Sequence, residues 1–519
     1  MILDFRFAIL DGLMRQEIKA GIILKELVDL LGQAYVSTRE SDRLVYSTDW
    51  SWMLQMWLDR GKEATKPDYI VHPGSPEEVA EILKIAARYR IPVVPWGGGS
   101  GTQGGAGPLF GGILLDTKRM NKIIEINETS LTVTAQAGII GAQLEWALNE
   151  RGLTLPHYPA SANCATLGGY LAPRGSGVIS TKYGKAEQLV LSMQVALPNG
   201  SIIRTPLVPN HASGPDFMGL WVGAEGTLGI ITEATMQIEY LPECRLLRGI
   251  LFDDLAKAME AGRRIMTRRL DPLVIRLYDM PSTKKTIKRV LNLELEGAYM
   301  VLGFDGWPEI ASAQEKRALD ICFELGAQDL GREPGEHWWN HRYDFYYPPL
   351  SLHLPQMYGT TETVTTFDYI EELYYAKRAV IEEGYANWDV SYTGHFSHWF
   401  PWGVMLYDRF TINNPPHEPG EALTLHNEIW ARSIKTALAQ HGALNEHHGI
   451  GVKLGYLMPE MYGPAWELLQ SIKDTLDPQG IMNPGKLGFQ VPESISSAAD
   501  FEFWTVDQAT KKQLLAARG

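Results

Sequence analysis

The chain has 519 residues, of which 45% are hydrophobic, and its formal net charge is −14 at pH 7. A chain of this length is too long for a single hydrophobic core, so we expect two or three domains. The negative charge argues against nucleic acid as a partner, because phosphate binding needs a basic surface, and no stretch reaches the roughly 20 apolar residues of a membrane span.

The three cysteines, Cys164, Cys244 and Cys322, have neither the spacing of a metal site nor that of a disulfide framework. Residues 1–7 carry charges within a short apolar run, and no secretory cleavage signal follows them. Together these features predict a protein of a reducing, cytoplasmic compartment.

Residues 1–65 read mainly as an N-terminal helical segment, since apolar residues recur at helical spacing from Ile18 to Leu31. An aromatic run at 49–57 ends this segment. We interpret the run as a surface that docks on the next domain.

From residue 66 the pattern becomes that of an α/β unit. A strand at 67–73 is followed by a helix with Ser75 as N-cap and Pro76 at its first position. A second strand, 91–94, then leads into the most informative stretch of the chain.

That stretch is a glycine-rich loop from Pro95 to Pro108, with six glycines between Gly97 and Gly105. Glycine has no Cβ, so backbone N–H groups in such a loop can approach and bind an anion. No Gly-Lys-Ser/Thr ends the loop, which excludes a P-loop, and no amphipathic helix follows it, which excludes a Rossmann turn.

Three further loops of small residues follow, at 159–169, 174–177 and 222–229. Strands at 189–197 and 201–205 form a hairpin around Pro-Asn-Gly between the last two. Four small-residue loops, each beside a strand, imply that the backbone approaches one long ligand.

Four of these pieces identify a family by their order and spacing. Pro95–Thr102, Thr166–Gly169, Tyr183–Gly184 and Glu225–Thr232 resemble the FAD-binding domain of the vanillyl-alcohol oxidase/p-cresol methylhydroxylase superfamily. The resemblance spans roughly residues 66 to 490. Its nearest branches look like the D-lactate/glycolate dehydrogenases and alkyldihydroxyacetonephosphate synthase.

The resemblance implies an α+β fold, in which a two-subdomain FAD-binding domain of the p-cresol methylhydroxylase type is interrupted by an antiparallel-sheet cap domain. The expected limits are 1–65 for the N-terminal segment, 66–243 for the FAD-binding domain, 244–445 for the cap or substrate domain, 446–490 for the return to the FAD-binding domain and 491–519 for a tail.

The resemblance also implies how FAD is held. Backbone N–H groups of the glycine-rich loop would bind the pyrophosphate, two later loops would line the flavin, and residues 225–231 would contact the adenosine. The cofactor residues implied are Trp96, Gly97, Gly98, Gly99, Ser100, Gly101, Thr102, Ala160, Ser161, Ala165, Thr166, Gly169, Arg174, Ser176, Tyr183, Glu225, Gly226, Leu228, Gly229, Ile231 and Asn483. The loop has no histidine, so we expect non-covalent FAD, although a cap-domain histidine or tyrosine link stays open.

The cap region alternates predicted strands and helices, which favours an α+β sheet domain. The strands are 246–252 and 299–304, and the helices are 253–269 and 311–325. Arg276 is the one cation of an apolar strand. It is either an exposed arginine or a bidentate ligand of a substrate carboxylate or phosphate, and the resemblance to the synthase favours the second.

The stretch 336–349 is dense in aromatic and ionisable side chains. For any one residue we favour packing over a role in a pocket, with His341 and Arg342 as the candidates for a functional role.

In the D-lactate dehydrogenases a His-x-Gly-Asp-Gly-Asn-x-His run often binds a divalent metal. Here His398 can match the first histidine, but Met405 stands where the second would be. One ligand is lost, so we expect no metal. Tyr407 resembles the strand tyrosine that the synthase has beside its flavin.

The run Asn445-Glu446-His447-His448-Gly449-Ile450-Gly451 is the sharpest chemical motif. Imidazole titrates near neutral pH and can take or give a proton. An isolated pair of histidines is more often structural. The resemblance favours catalysis here, because the related dehydrogenases have Glu-His-Gly-Ile-Gly. A helix at 459–475 follows, and residues 483–486 would return to the flavin.

These residues predict an FAD-dependent oxidoreductase. His447 or His448, beside Glu446, would remove a hydroxyl proton while hydride passes from the adjacent C–H to flavin N5. Arg276, with Arg409, would hold an anionic group, and Tyr407 would position the hydroxyl. The default substrate is a 2-hydroxy acid.

Three alternatives stay open: a redox-neutral flavin transferase like the ether-lipid synthase, oxidation of a 4-alkylphenol, and an FAD-binding protein with a degenerate site. The intact Glu446-His447-His448 argues against the last. Sequence also leaves open the electron acceptor, which can be oxygen, a quinone or a protein, and whether the chain is a homodimer.

Overall fold

The computed structural model describes residues 18–51, 65–345 and 356–496. The expectations for residues 1–17, for the aromatic residues 52–57 and for the tail beyond 496 lie outside these ranges. The described chain is organised around three larger sheets, which meet at a common centre.

A four-stranded sheet carries the glycine-rich loop. Its strands lie in the order Val36–Ser37, Tyr69–Val71, Ile113–Asp116 and Val93–Trp96. The last three are parallel, and parallel neighbours need a crossover. The helix Pro76–Tyr89 carries the chain from Tyr69–Val71 to Val93–Trp96, and the glycine-rich loop connects that strand to its neighbour Ile113–Asp116. The Ser75 hydroxyl accepts from the backbone N–H of Glu78 as predicted.

The N-terminal segment packs against this sheet. A helix covers residues 18–31, and its buried Ile23, Leu27 and Leu31 share a core with the sheet. The segment was predicted as helical, yet Val36–Ser37 pairs antiparallel with Tyr69–Val71 and so belongs to the sheet itself.

A five-stranded antiparallel sheet forms the second half of the predicted FAD-binding domain. Its order is Ile123–Asn127, Thr132–Gln136, Ile230–Gln237, Val190–Ala196 and Ile202–Arg204. The last two strands are the predicted hairpin. Helices Gly141–Asn149, Leu167–Leu171 and Ala186–Leu189 contribute buried residues to the core of this sheet.

A seven-stranded antiparallel sheet forms the cap. Its order is Gln328–Gly331, Cys244–Phe252, Ala298–Gly306, Val274–Tyr278, Val390–Phe400, Gly403–Ile412 and Met357–Thr366. Four helices cover one face of it: Leu255–Thr267, Pro308–Glu324, Ile370–Glu382 and Pro419–Ala439.

The side chains of the cap strands divide between the two faces of the sheet. Leu277, Phe396 and Leu406 lie in the core under the helices. Side chains in a strand alternate between its faces, so Arg276 and Tyr407 lie on the opposite face, which looks toward the first two sheets.

Three elements differ from the predictions. The predicted helix 459–475 is two helices, Met458–Tyr462 and Ala465–Leu476, because Gly463 has a φ of +54° and Pro464 follows it. A helix, Arg332–Asn340, occupies the aromatic stretch, and the strand Val390–Phe400 includes residues for which we predicted no element.

The remaining elements are short: Gln33–Tyr35, Glu40–Val45, Thr117–Arg119, Leu153–Thr154 paired with Glu239–Tyr240, Ser180–Tyr183, Met218–Trp221, Met280–Ser282, Thr283–Ile287, Lys288–Leu291, Ala386–Trp388, Gly455–Leu457 and Glu493–Ser496. None of the helices in the described ranges is both long enough and apolar enough to cross a bilayer.

Candidate active site

Two adjoining cavities lie where the three sheets meet. The central cavity is bounded by the glycine-rich loop, residues 159–178, the inner face of the cap sheet and the histidine pair. Sequence-predicted residues that line it are Gly98, Gly99, Ser100, Gly101, Thr102, Ala160, Ser161, Ala165, Gly169, Ser176, Arg276, Tyr407, His447 and His448.

The second cavity, here called the loop cavity, continues along the glycine-rich loop. It is lined by the predicted Trp96, Gly97, Thr166, Glu225, Gly226, Gly229 and Ile231, and it shares His448 with the central cavity. Residues far apart in the chain therefore border one continuous space, as a long ligand requires.

The glycine-rich loop has the chemistry of an anion site. Within the described chain, no backbone N–H from Gly98 to Gly105 donates a hydrogen bond to a protein group. Backbone N–H groups need partners, and consecutive ones suit a phosphate. A Cβ on Gly98 would lie 2.1 Å from the carbonyl oxygen of Cys164. These residues fit the pyrophosphate of FAD.

The aromatic run was predicted to dock on the next domain, and its described part touches this loop. The backbone N–H of Trp50 donates to the carbonyl of Gly99 over 2.8 Å. The Asp49 carboxylate accepts from the backbone N–H of Ala106 over 3.2 Å.

Four predicted cofactor residues lie outside the lining of both cavities. Arg174 pairs with Glu187 and is half-exposed, and the Tyr183 hydroxyl donates to Asp305 of the cap. The Leu228 carbonyl accepts from the Trp221 indole, and the Asn483 amide donates to the carbonyls of Gly105 and Glu225. Their roles toward FAD stay predictions.

Glu225 has a contact that the sequence did not indicate. Its buried carboxylate accepts the backbone N–H groups of Ile450 and, over 2.8 Å, of Gly451. Burial raises the pKa of Glu225 to about 7, against the lowering effect of these bonds. Glu225 thus ties the loop cavity to the loop that carries the histidine pair.

A polar cluster surrounds Glu446, and we call Ser176, Lys185, His398, Glu446 and His447 the Glu446 cluster. The carboxylate oxygen Oε2 of Glu446 lies 2.8 Å from Nδ1 of His398 and 2.8 Å from Nδ1 of His447. The Ser176 hydroxyl donates over 3.1 Å, and the Lys185 Nζ lies 3.1 Å from Oε1.

Burial alone would raise the pKa of Glu446, but the charges of His398 and Lys185 and the bonds to His398 and His447 hold it well below the usual range. Glu446 is therefore ionised. His398 Nδ1 forms a hydrogen bond with this carboxylate, whereas Nδ1 of His447, at the same distance, is not aligned for one. Contact with the ionised carboxylate favours the tautomer of a neutral His447 that has its proton on Nδ1 and its lone pair on Nε2.

His448 has a different partner. Its Nδ1 lies 2.6 Å from Oε1 of Glu362, a fully buried carboxylate on the edge strand of the cap. The Asn445 side chain accepts the backbone N–H groups of His447 and His448, which fixes the turn between them.

The two environments separate the pKa values of the pair. Burial, then the charge of His448, lowers the pKa of His447 to about 4. Burial opposes protonation of His448 too, but Glu362 and Glu446 outweigh it and raise its pKa. Pairs separated in this way are typical of acid and base roles: burial favours the neutral form of His447, and the carboxylates favour the protonated form of His448.

Tyr407 joins these groups. It pairs in register with Glu362 on one side and His395 on the other, and its ring stacks on His395 with centroids 4.8 Å apart. Its ring centroid lies 5.7 Å from that of His448. The place of Tyr407 beside the flavin stays a prediction.

Two guanidinium groups line the same cavity. Arg276 is 7% exposed, and Arg409 lies over the Tyr358 ring, 5.4 Å from its centroid. Both are close to His395, since their charges, after burial, hold the pKa of His395 well below its usual range. An anionic group in the cavity would meet both.

The other candidates lie elsewhere. The His341 ring nitrogen Nδ1 contacts the backbone carbonyl of His337, and Arg342 stacks on Trp339 with 4.3 Å to its centroid, which agrees with packing. Sequence reasoning missed Glu362, His395 and Lys185. A carboxylate between threonines in a strand was the only signal for Glu362.

Models of two protein families match the chain. The FAD binding domain matches residues 67–206, and the C-terminal domain of FAD linked oxidases matches residues 241–487.

Relatives extend the likeness to most of the chain. The uncharacterized FAD-linked oxidoreductase YgcU of Escherichia coli O157:H7 is 31% identical over 81% of this chain and 89% of its own. Alkyldihydroxyacetonephosphate synthase of Dictyostelium discoideum is 29% identical over 82% and 74%. Glycolate oxidase subunit GlcD of Bacillus subtilis is 27% identical over 90% and 96%.

Solved structures share the architecture. A structure of alkyldihydroxyacetonephosphate synthase has a TM-score of 0.74 at 25% identity, covering 89% of this chain and 84% of that one. p-Cresol methylhydroxylase has a TM-score of 0.73 at 18% identity, covering 91% and 97%. The predicted fold, an α+β FAD-binding domain with an antiparallel cap, is confirmed.

Proposed function

We propose, since this chain belongs to the FAD-linked oxidases and is an FAD-dependent oxidoreductase, that it oxidises an anionic substrate with a C–H bond next to a hydroxyl. A 2-hydroxy acid or a related alcohol has this form. One observation carries the proposal: a neutral His447 oriented by Glu446 lies in one cavity with Tyr407, Arg276 and Arg409.

Proton removal falls to His447. Its Nδ1 is held by Glu446, so Nε2 is the nitrogen that accepts the substrate hydroxyl proton. The ionised Glu446 then stabilises the imidazolium that forms. A well-placed general base contributes roughly 10²–10⁴-fold to a rate. Bound FAD would supply the acceptor for the hydride that leaves the carbon, and the substrate hydroxyl would become a carbonyl.

Substrate orientation falls to the cap. Arg276 and Arg409 supply charge-assisted hydrogen bonds to a carboxylate or phosphate, and these are stronger than bonds between neutral groups. His448, whose pKa Glu362 raises, and Tyr407 line the cavity in which charge would develop on the substrate oxygen. The cap thus binds the anionic group of the substrate, and His447, on the loop 445–451, accepts the hydroxyl proton.

A second candidate is a redox-neutral transferase like alkylglycerone-phosphate synthase. The likeness to alkyldihydroxyacetonephosphate synthases in sequence and structure favours it, and the two arginines suit a phosphate equally well. Oxidation of a 4-alkylphenol is supported by the fold alone, since that neighbour is 18% identical. The electron acceptor stays open, and the cytoplasmic location and the non-covalent attachment of FAD stay predictions.

The deciding experiment is anaerobic titration of the FAD-loaded protein, followed by its visible spectrum. The panel contains 2-hydroxy acids, 4-alkylphenols and acyl-dihydroxyacetone phosphate. Bleaching by hydroxy acids, with the oxo acid as product, is the expected result. Bleaching by the acyl compound that a long-chain alcohol reverses, with an ether product, would replace the proposal by the transferase.

His447→Gln is the companion variant. We expect it to keep the spectrum of bound FAD and to lose roughly 10²–10⁴-fold in the rate of bleaching. The matched control is His211→Gln, since His211 is exposed and lies outside both cavities. Bleaching by the His447 variant at the wild-type rate would remove His447 as the base.

A further inference from the structure

The Glu446 cluster has the composition of a divalent-metal site. Ligand atoms of His398, Glu446 and His447 lie within 4.8 Å of one another. The resemblance to D-lactate dehydrogenases also implies a metal near this place. The donor set present in this chain decides whether such an ion fits.

The donor set does not fit. Met405 stands where the metal-binding pattern has its second histidine, and it lines the same cavity as His398. A thioether is a soft ligand, unlike the oxygen and imidazole groups beside it. In addition, the Lys185 Nζ lies 3.1 Å from Oε1 of Glu446, so a cation already neutralises the carboxylate.

We propose that the Lys185 ammonium takes the place of a divalent cation in this cluster. It donates to the backbone carbonyl of Glu446 as well as contacting its carboxylate. Two bonds to one residue fix both the chain and the side chain of Glu446. A divalent ion on the same carboxylate would be repelled by the ammonium beside it.

Lys185 is held in place from its own side. Its backbone N–H donates to the Gln188 side chain, at the start of the helix Ala186–Leu189. Its Nζ also lies 3.4 Å from the Glu187 carboxylate, and the Lys185 side chain is only 9% exposed. Two carboxylates therefore contact the Lys185 Nζ.

Lys185 is then a positioning residue for the base. By fixing Glu446 it fixes the carboxylate oxygen that holds Nδ1 of His447, and so the direction of Nε2. This last step rests on the proposed function, whereas the exclusion of a metal does not.

The test uses Co²⁺ as the probe on full-length, FAD-loaded protein. Lys185→Met keeps the length of the side chain and removes the charge. The matched control is Lys182→Met, because Lys182 makes the same pair of bonds, to the backbone carbonyl and the carboxylate of Asp305, away from the histidines. Calorimetry measures affinity, and electron paramagnetic resonance reports the ligand field, since oxidised FAD is diamagnetic.

We expect Lys185→Met to bind one equivalent of Co²⁺ at least about tenfold more tightly than wild type. Lys182→Met should behave like wild type. Adding His398→Asn to Lys185→Met should abolish the gain. A folded, FAD-loaded Lys185→Met protein that binds Co²⁺ no more tightly than wild type would overturn the proposal. Lys185→Gln repeats the test if the methionine variant does not fold.

Wild-type protein gives an independent check. We expect no stoichiometric divalent metal after purification and no change in flavin reduction after EDTA. Stoichiometric metal whose removal abolishes reduction would overturn the proposal. With a substrate that bleaches the flavin, Lys185→Met should lower the limiting rate of flavin reduction and leave the apparent substrate Kd unchanged. The Co²⁺ result needs no substrate, so failure of the proposed function is distinguishable from failure of this inference.

Discussion

Two adjacent histidines in this protein have pKa values shifted in opposite directions, His447 downward by burial and His448 upward by nearby carboxylates. His447 and His448 have ring centroids 4.0 Å apart, so both cannot be charged without mutual repulsion. Glu362 favours the charge on His448, and burial keeps His447 neutral. A strand residue far away in the sequence therefore decides which histidine suits the proposed role of base.

The first prediction concerns the pH dependence of flavin reduction. A pKa of about 4 for His447 means that the base is deprotonated above about pH 5. As the pH is lowered from about 7.5, the limiting rate of flavin reduction should therefore stay constant to about pH 5.5 and fall only near pH 4. Stopped-flow absorbance with the bleaching substrate measures it. A rate that rises with a midpoint near the ordinary histidine value of about 6.5 would contradict this assignment.

Glu362→Gln is the matched variant for that profile. Removing this carboxylate removes the main influence that raises the pKa of His448. His448 should then lose its proton at lower pH, and the alkaline limb of the profile should move toward neutrality. An unchanged alkaline limb would mean that the charge on His448 plays no part.

The second prediction concerns Arg276. Arg276→Lys keeps the charge but loses the planar, bidentate geometry. A charge-assisted hydrogen bond contributes about 1.5–3 kcal/mol, so substrate Kd from the anaerobic titration should rise roughly 10- to 100-fold. Arg342→Lys is the control, since Arg342 stacks on Trp339 away from the cavity. Equal Kd values in both variants would exclude Arg276 from anion binding.

At the scale of elements, the glycine-rich loop is the clearest case of sequence dictating structure. The strand before it was predicted from a β-branched run and is present as Val93–Trp96, and the strand Ile113–Asp116 follows the loop. The glycines follow from close contact: Gly99 has a φ of +63°, and a Cβ there would lie 2.3 Å from the Trp96 ring. Only the side-chain-free backbone leaves the N–H groups available.

The third prediction is that Gly98→Ala loses FAD. The added Cβ would lie 2.1 Å from the Cys164 carbonyl oxygen, a backbone atom that cannot move alone. The ratio of flavin to protein absorbance after purification should fall far below wild type. Gly219→Ala is the control, since a Cβ there meets nothing within 4 Å and alanine suits its helix. A Gly98→Ala protein with a full complement of FAD would contradict this account of the loop.

Some elements could be predicted and others could not, for identifiable reasons. Local signals sufficed for the Ser75 N-cap and the hairpin 190–204. They failed for Glu362, whose partner comes from tertiary register. Met357–Thr366 pairs with Gly403–Ile412, which is not the next strand in the sequence, and so brings Glu362 opposite Tyr407. No periodicity within one strand reports its neighbour. The break at Gly463-Pro464 was visible in the sequence and was overlooked.

For the whole molecule, the site depends on segments that come from every part of the chain. The resemblance indicated that the motifs would meet, and the cavities bring most of them together. It did not indicate what holds them there. Glu225 was predicted to contact the adenosine, yet its carboxylate binds the backbone after His448. The loop cavity and the loop that carries the histidine pair are therefore joined directly.

The fourth prediction tests this connection. The Glu225 side chain accepts two N–H groups of the histidine loop, and its own carbonyl accepts the amide of Asn483. Buried charge-assisted bonds of this kind limit local opening, which hydrogen exchange reports. In the FAD-loaded protein, Glu225→Ala should therefore speed amide exchange at residues 447–451 while most of the cap exchanges as in wild type.

Glu233→Ala is the control for that experiment, because Glu233 lies on a strand close to Glu225 in the chain but pairs with the exposed Arg204. It should leave exchange at 447–451 unchanged. If Glu225→Ala also leaves it unchanged, the histidine loop is held by the cap alone, through Glu362 and the Glu446 cluster. If exchange rises and the limiting rate of flavin reduction falls with it, the FAD-binding domain positions the catalytic base as well as the cofactor, and the two domains act as one catalytic unit.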